Sequence, residues 1–273
     1  MHGKERVLDR PLRLGLGLQL RIASLVNTDA FGTFSGDVAR PADALATCRL
    51  KALAGMDALD IDLGIASEGS FGPHPYVPML AVGMECLVMV DRRSGRIFEE
   101  QALCTQTNFS STAVTDYAAA QAWLDQVGFP SHAVMVRPHG REPMEAAAWL
   151  AKGVHHAADL AALVAEAVSR SVVGQAWLET DMRAHCNPTR MASIRGLAFQ
   201  LVRRVRRICP QCAAPGFGPT DTVPGLPCAD CGLASRWVAR QLWSCDICDY
   251  SEQRSRPDGL LALDPMYCDY CNP

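Results

Sequence analysis

The chain has 273 residues, of which 49% are hydrophobic and 20% are charged, and its formal net charge is −3. This composition is typical of a globular protein with one ordinary domain and one small domain, and the near-neutral charge excludes a surface that attracts polyanions everywhere. The apolar runs stop short of the roughly 20 residues of a membrane-spanning helix. Twelve cysteines without a signal-peptide pattern predict a reducing, cytoplasmic environment.

Polar residues among small ones mark the first part of the chain. They occur in residues 2–5 (His-Gly-Lys-Glu), in residues 29–37 and in a helix predicted around residues 49–51, and an apolar strand then ends at Glu68 beside Gly69. Glycine lets a backbone approach a ligand closely, and a carboxylate at the end of a strand can hold a divalent cation. The sequence therefore predicts either a ligand site at Glu68 or a turn carboxylate whose hydrogen bonds are satisfied locally.

Helices and strands alternate in the middle of the chain. A helix is predicted over residues 116–127, a strand over 132–137, a second helix over 157–170 and a short apolar strand over 176–178. This alternation predicts an α/β domain, which we place at residues 1–207.

A long helix is predicted to begin after Asn187 and to lead towards the C-terminal cysteines. Asn187 is a typical N-cap and Pro188 a typical first helical residue. One face of the helix is apolar, and its arginines have no acidic partner within the helix. These arginines are Arg190, Arg195, Arg203, Arg204, Arg206 and Arg207. They predict either a solvated face or a contact with phosphate or nucleic acid.

Charged side chains just before this helix complete a predicted phosphate site. A helix N-terminus favours anions, and residues 179–190 bring acids, arginines and a histidine to it. Carboxylates for Mg²⁺, cations for phosphate and a histidine for proton transfer predict a metal-dependent hydrolase of a nucleotide or another phosphorylated small molecule. The predicted catalytic residues are Glu68, Asp181 and His185. The predicted phosphate-binding residues are Lys4, Arg183 and Arg190.

Four Cys-x-x-Cys pairs in residues 208–273 are the strongest metal-binding signal. They are Cys209/Cys212, Cys228/Cys231, Cys245/Cys248 and Cys268/Cys271. Two such pairs supply the four thiolates of a structural zinc site, so we expect a double zinc-ribbon domain with two four-cysteine sites. The segments between adjacent pairs have 15, 13 and 19 residues. These lengths leave the sequential and the nested pairing equally open, with an interleaved pairing as a third alternative.

The charge of residues 208–273, here called the tail, affects which partners the tail can bind. From Ile208 onward it has four arginines and eight acidic residues, and zinc ions held by four thiolates add negative charge. This balance disfavours binding of nucleic acid by the tail. The alternative to the hydrolase is nonetheless a non-catalytic module that binds nucleic acid or a partner protein. Taken together, the two hypotheses predict a phosphorylated small molecule, nucleic acid and further copies of the chain as partners. A membrane is not predicted as a partner.

Motifs across nearly the whole chain resemble an uncharacterised bacterial family of unknown function. They lie at residues 2–5, 32–36, 66–74, 107–109 and 179–191 and in the cysteine pairs. The resemblance implies an α/β domain followed by zinc-binding cysteines, with no assigned activity.

Residues 2 to about 105 are also similar, more remotely, to the inosine/xanthosine triphosphate pyrophosphatase superfamily. The matching segments, in the order of that superfamily's motifs, are residue 4, residues 32–34, residues 48–52 and residues 66–71. This resemblance implies an α/β fold with a mixed sheet and flanking helices, contact with phosphate for Lys4 and binding of Mg²⁺ for Glu68. It also implies a core strand before Lys4, and hence a natural start upstream of Met1.

Overall fold

The computed structural model describes residues 3–27, 43–74, 76–140 and 149–273. His2 and the predicted polar segment 29–37, with the motif at 32–36, lie outside the described residues. The chain divides into two compact units, Met1–Val202 and Arg203–Pro273. The predicted domain boundary after Arg207 lies a few residues further along the chain.

The first sheet of the first unit is a three-stranded antiparallel meander in the order β1-β2-β3. Its strands are β1 (Leu63–Pro73), β2 (Ala81–Asp91) and β3 (Arg96–Cys104). Helix α2 (Ala44–Leu59) begins after Asp43, whose side chain accepts a hydrogen bond from a backbone N–H of the first turn. The buried face of α2 packs on apolar side chains of β2, and burial of this layer holds the helix on the sheet.

The second sheet of the first unit has four antiparallel strands in the order β4-β7-β5-β6. Its strands are β4 (Ser111–Val114), β5 (Val134–Pro138), β6 (Ala151–Val154) and β7 (Ala176–Thr180). Helices α3 (Tyr117–Val127) and α4 (Ala157–Arg170) share a core with the sheet that includes Leu124, Val134 and Leu160. Because side chains alternate along a strand, the other side chains of β5 and β7 point away from this core.

Two further helices belong to the first unit, and the second of them continues a few residues beyond it. Helix α1 (Glu5–Leu16) opens the described chain, and α5 (Pro188–Arg206) closes with the arginine-rich segment. Asn187 is confirmed as the N-cap of α5, since its Oδ1 accepts a hydrogen bond from the Arg190 N–H at 2.9 Å. The buried residues of α5 are Arg190, Ile194, Leu197, Ala198, Leu201 and Val202. The predicted apolar face is therefore confirmed, but Arg190 does not belong to a solvated basic face.

The second unit is built on one three-stranded antiparallel sheet in the order β10-β9-β8. Its strands are β8 (Gly218–Pro224), β9 (Val238–Ser244) and β10 (Ser251–Ser255). Two small apolar clusters accompany it, one around Phe217 and Trp243 and the other around Leu226 and Leu263. Each cluster contains cysteine side chains, so the apolar core of this unit is divided between its two groups of cysteines.

The predicted α/β class is confirmed, with two differences. The described strands of the first unit form two antiparallel sheets, not a single mixed sheet. Strand β1 continues to Pro73, so Glu68 lies in the middle of a strand and not at its end. None of the described helices combines the length and the apolar character needed to cross a bilayer.

Candidate functional site

A cavity of about 770 Å³ lies in the first unit, bordered by α1, α2 and β1. Much of its lining is apolar, but one part, here called the polar wall, carries a group of cationic side chains together with Ser67 and Glu68. These cations are Lys4, Lys51, Lys152, Arg183 and Arg190. A cavity of this size holds a small ligand, and its few polar groups fix the ligand's orientation.

Lys4 reaches into the polar wall from the residue before α1. Its Nζ donates a hydrogen bond to the Ser67 carbonyl oxygen at 3.0 Å. Burial of the ammonium group, with repulsion from Arg190 as the next contribution, lowers the pKa of Lys4 to about 8. Beside it, the Ser67 hydroxyl is buried and makes no hydrogen bond within the described part of the chain. The wall therefore contains a buried cation, held by the Ser67 backbone, and a buried hydroxyl with no partner among the described residues.

Glu68 follows Ser67 on β1 and forms an ion pair with Lys51 of α2. The two side chains are each only 10% exposed. The structure therefore brings three of the predicted elements together, namely the Lys4 segment, the helix around residues 49–51 and Glu68.

Arg190 lies at the base of the polar wall in a buried ion pair with Glu85 of β2. Its Nε lies 2.6 Å from Glu85 Oε1, and its Nη1 donates to the Met182 carbonyl oxygen at 2.5 Å. The guanidinium also stacks on Phe71, with 5.2 Å from Cζ to the ring centroid. A Cβ on Gly69 would come within 2.4 Å of Arg190 Nη2, so glycine here lets β1 approach the ion pair and not a ligand.

Asp181 lies buried beneath Arg183. The Arg183 guanidinium donates to both carboxylate oxygens, with 2.5 Å from Nη2 to Oδ2 and 3.0 Å from Nε to Oδ1. Cys186 lies close by, and burial together with the Asp181 charge raises the pKa of its thiol to about 11. His185 is exposed and does not line the cavity. The structure thus brings Lys4, Arg183 and Arg190 to one cavity but leaves Asp181 behind Arg183 and His185 outside.

Four residues were not among the predicted site residues: Lys51, Ser67 and Lys152 of this wall, and Glu85 behind it. Glu85 could have been found, because it is a single carboxylate within the apolar run of β2, and a buried charge requires a partner. Ser67 and Lys152 carry no comparable local signal.

The eight predicted cysteines form two groups of four, and in each group the sulfur atoms lie within 4.8 Å of one another. Sγ–Sγ distances are 3.6 Å for Cys209–Cys248 and Cys212–Cys245, and 3.7 Å for Cys228–Cys271 and Cys231–Cys268. Sulfurs about 2.3 Å from a tetrahedral ion lie about 3.8 Å apart, so the donor set fits such an ion. In the described residues these are the only groups of three or more histidine, cysteine or acidic side chains arranged to hold a metal.

The pairing of the cysteines is interleaved, which overturns both pairings that the sequence favoured. Cys209 and Cys212 precede β8, and Cys245 and Cys248 follow β9. The first residue of β8 pairs with the last of β9, Gly218 with Ser244, so these two cysteine pairs meet at one end of the sheet. The other two pairs meet in the second group, Cys228 and Cys231 with Cys268 and Cys271. The second unit is therefore one sheet with two cysteine clusters and not two separate ribbons.

Backbone N–H groups donate to the sulfurs of these turns. The Asp230 N–H donates to Cys228 Sγ and the Ile247 N–H to Cys245 Sγ, both at 3.4 Å. Such hydrogen bonds stabilise the thiolate. They contribute to lowering the pKa of Cys228 and of Cys245 to about 7 each, with the Asp230 N–H and the Cys248 N–H as the respective first causes.

Comparison with known protein families shows to which family the chain belongs. A family model, DUF6671, matches residues 51–273. The chain belongs to this family, which is described as a domain of unknown function. The matched residues include Glu68, Asp181 and all eight cysteines of the two clusters, whereas Lys4 precedes them. No curated protein and no solved structure shows a significant match to the chain. The resemblance to the inosine triphosphate pyrophosphatases therefore stays a prediction.

Proposed function

We propose that the first unit binds a phosphorylated small molecule at the polar wall of the cavity and hydrolyses its phosphate ester or anhydride. The observation that carries this proposal is the Lys4 ammonium at the cavity, which bonds to the Ser67 carbonyl oxygen, while the hydroxyl of the same serine is buried without a partner in the described part of the chain. An unpaired buried hydroxyl costs free energy unless a ligand or water completes its hydrogen bond. A phosphate oxygen in the cavity would accept from the Lys4 ammonium, and a rotation of the Ser67 side chain would let its hydroxyl donate as well.

The charge balance of the wall supports an anionic ligand. Five cationic side chains lie there, and Glu68, Glu85 and Asp181 pair with Lys51, Arg190 and Arg183 respectively. Glu85 and Asp181 stand behind their arginines and do not line the cavity, so the guanidinium groups of Arg183 and Arg190 border it, together with the ammonium of Lys4. Fixed cations in a site that excludes water stabilise the charge that develops during phosphoryl transfer.

The described residues do not fit the predicted Mg²⁺ site. Glu68 is paired with Lys51, and both oxygens of Asp181 receive hydrogen bonds from Arg183. Mg²⁺ requires free oxygen ligands in octahedral geometry. The proposed reaction uses no metal held by the protein, and the base that orients and deprotonates the attacking water is Glu68, which lines the same cavity from the α2 side of β1.

The test is a phosphate-release screen of nucleotides and phosphorylated metabolites, together with calorimetric titration of inorganic phosphate. We expect binding and release with the natural chain, loss of binding in Lys4→Met, and retained binding without release in Glu68→Gln. Arg195→Gln, at an exposed position on α5, is the matched control and should change neither. Absence of phosphate binding by the folded protein would refute the proposal.

For the second unit we propose two structural zinc ions. Four thiolates per ion leave no open coordination position for a substrate, so these ions would stabilise the fold and not catalyse a reaction. Metal analysis should find two zinc ions per chain, and a value near zero for protein purified without chelator would contradict the assignment.

Nucleic-acid binding by the second unit is the weaker alternative. Several of its arginines pair with carboxylates, as Arg236 does with Asp269 and Arg256 with Asp258. Neutralised arginines contribute little to binding of a phosphate backbone. A binding constant for mixed oligonucleotides that falls steeply with salt would nonetheless support this alternative.

A further inference from the structure

The second unit exposes a group of large side chains around its second cysteine cluster. This aromatic surface consists of Trp237 (42% exposed), Met266 (58%), Tyr267 (54%) and Tyr270 (68%). The Trp237 and Tyr267 rings lie 5.5 Å apart at an angle of 41°. Tyr267 and Tyr270 flank Cys268 in sequence, so the metal-binding turn itself presents these rings.

These side chains are not needed for the apolar core of the unit. The buried cluster next to them contains Leu226, Cys228, Leu263 and Cys268, and none of the four exposed side chains belongs to it. Exposed apolar surface of this kind is unfavourable in water unless a partner covers it. Tryptophan, tyrosine and methionine are also the residue types enriched in protein–protein interfaces.

The charge around the aromatic surface selects a cationic partner. Asp269 lies between Cys268 and Tyr270, and Asp230 lies 3.9 Å from Cys271 Sγ. The inference rests in part on the proposed zinc site, where a divalent ion with four thiolates would add a formal charge of about −2. Arg236 offsets one of these charges through its ion pair with Asp269. The surface therefore combines aromatic rings with a net negative field.

The same unit already shows how such rings bind a guanidinium. Arg254 Cζ lies 3.9 Å from the centroid of the Trp243 ring, and Arg207 Cζ lies 4.7 Å from it. A cation over a tryptophan face is attracted by the ring's negative face. We propose that the aromatic surface binds a segment of a partner protein that carries lysine or arginine next to an aliphatic residue, with the cation over Trp237 and the aliphatic residue against Tyr267 and Met266.

The test is calorimetry with the full zinc-loaded chain and decapeptides in which arginine or lysine alternates with leucine. Matched decapeptides carry glutamate in place of the basic residues. We expect the basic peptides alone to bind, with at least tenfold weaker binding in Trp237→Ala and several-fold weaker binding when salt rises from 50 to 500 mM. Ile247→Ala, which removes a side chain that is 57% exposed near the other cluster, is the matched control and should bind as the natural chain does.

Several results would overturn this proposal. Equal binding of the acidic peptides, failure of every basic peptide, or unchanged binding in a Trp237→Ala protein that retains two zinc ions would each do so. A concentration-dependent dimer that Trp237→Ala abolishes would assign the surface to a second copy of the chain. Binding of single-stranded oligonucleotides, lost in the same variant, would assign it to nucleic acid.

Discussion

The ion pair between Arg190 and Glu85 gives Arg190 a structural role, although this arginine borders the cavity. Both side chains are buried, and the arginine also bonds to the Met182 carbonyl oxygen and stacks on Phe71. A buried charge that loses its partner costs far more than a surface pair contributes. Arg190 borders the cavity, but its contacts are those of a side chain that holds α5 against β2.

Removal of Arg190 should therefore destabilise the protein strongly. We expect Arg190→Met to lower the free energy of unfolding by about 3–5 kcal/mol, because Glu85 would be left as an uncompensated buried charge. Urea denaturation measures the change. Arg195→Met, on the exposed face of the same helix, should cost less than about 0.5 kcal/mol. The double variant Glu85→Met with Arg190→Met should recover part of the loss, and a double variant as unstable as the single one would contradict this explanation.

The lowered pKa of Lys4 predicts a pH-dependent affinity for phosphate. Lys4 carries its charge below a pKa of about 8 and loses it above. Loss of a charged hydrogen bond costs about 1.5–3 kcal/mol, so affinity for inorganic phosphate at pH 9.5 should be roughly tenfold or more below that at pH 7.5. Calorimetry across this range measures it. Lys4→Arg stays charged and should show no such step, so a step of equal size in that variant would contradict the assignment to Lys4.

The lowered pKa of Lys4 makes the stability of the unliganded protein change with pH in the opposite direction to phosphate affinity. Between the pKa of about 8 in the folded chain and the ordinary value of 10.5 in the unfolded chain, the unfolded state binds the extra proton. Stability rises with pH wherever the unfolded state binds more protons. The contribution of Lys4 to the free energy of unfolding should therefore increase from pH 8 to pH 10.5, while phosphate affinity falls.

At the scale of elements, local signals in the sequence were sufficient for helices α2 to α5, whereas α1 was not predicted. The predicted helix over residues 157–170 coincides with α4, and the cap at Asn187 sets the start of α5, because helix periodicity and capping depend on neighbours within a few residues. Pairing between distant segments could not be derived in this way. The partner of Glu85, the two separate sheets and the grouping of the cysteines all depend on contacts far apart in the sequence.

The grouping of the cysteines can be tested by counting metal ions in double variants. With interleaved pairing, Cys212→Ala with Cys245→Ala removes two ligands from one cluster, so one zinc ion per chain should remain. Cys212→Ala with Cys231→Ala damages both clusters and should leave none after a mild chelator wash. Sequential pairing predicts the reverse counts, and nested pairing predicts no zinc in either variant.

At the scale of the whole molecule, the two units differ in what stabilises them. The first unit has apolar cores under both sheets, including one shared by α3, α4 and the second sheet. The second unit has only two small clusters, each built around cysteines. We therefore expect this unit, with three short strands and two small clusters, to depend on bound metal for its fold. Because the pairing is interleaved, an ion in either cluster would join turns from both halves of the unit, so we expect neither half to remain folded by itself.

Removal of zinc should therefore unfold the second unit as a whole and leave the first unit folded. Hydrogen exchange after chelation measures both: backbone amides of β9 (Val238–Ser244) should lose protection, whereas those of β5 (Val134–Pro138) should keep it. Both β8 and β10 depend on β9 for their hydrogen bonds, so they should lose protection at the same rate. Readdition of zinc should restore protection. Loss of protection in β5 together with β9 would show that the two units fold as one cooperative structure.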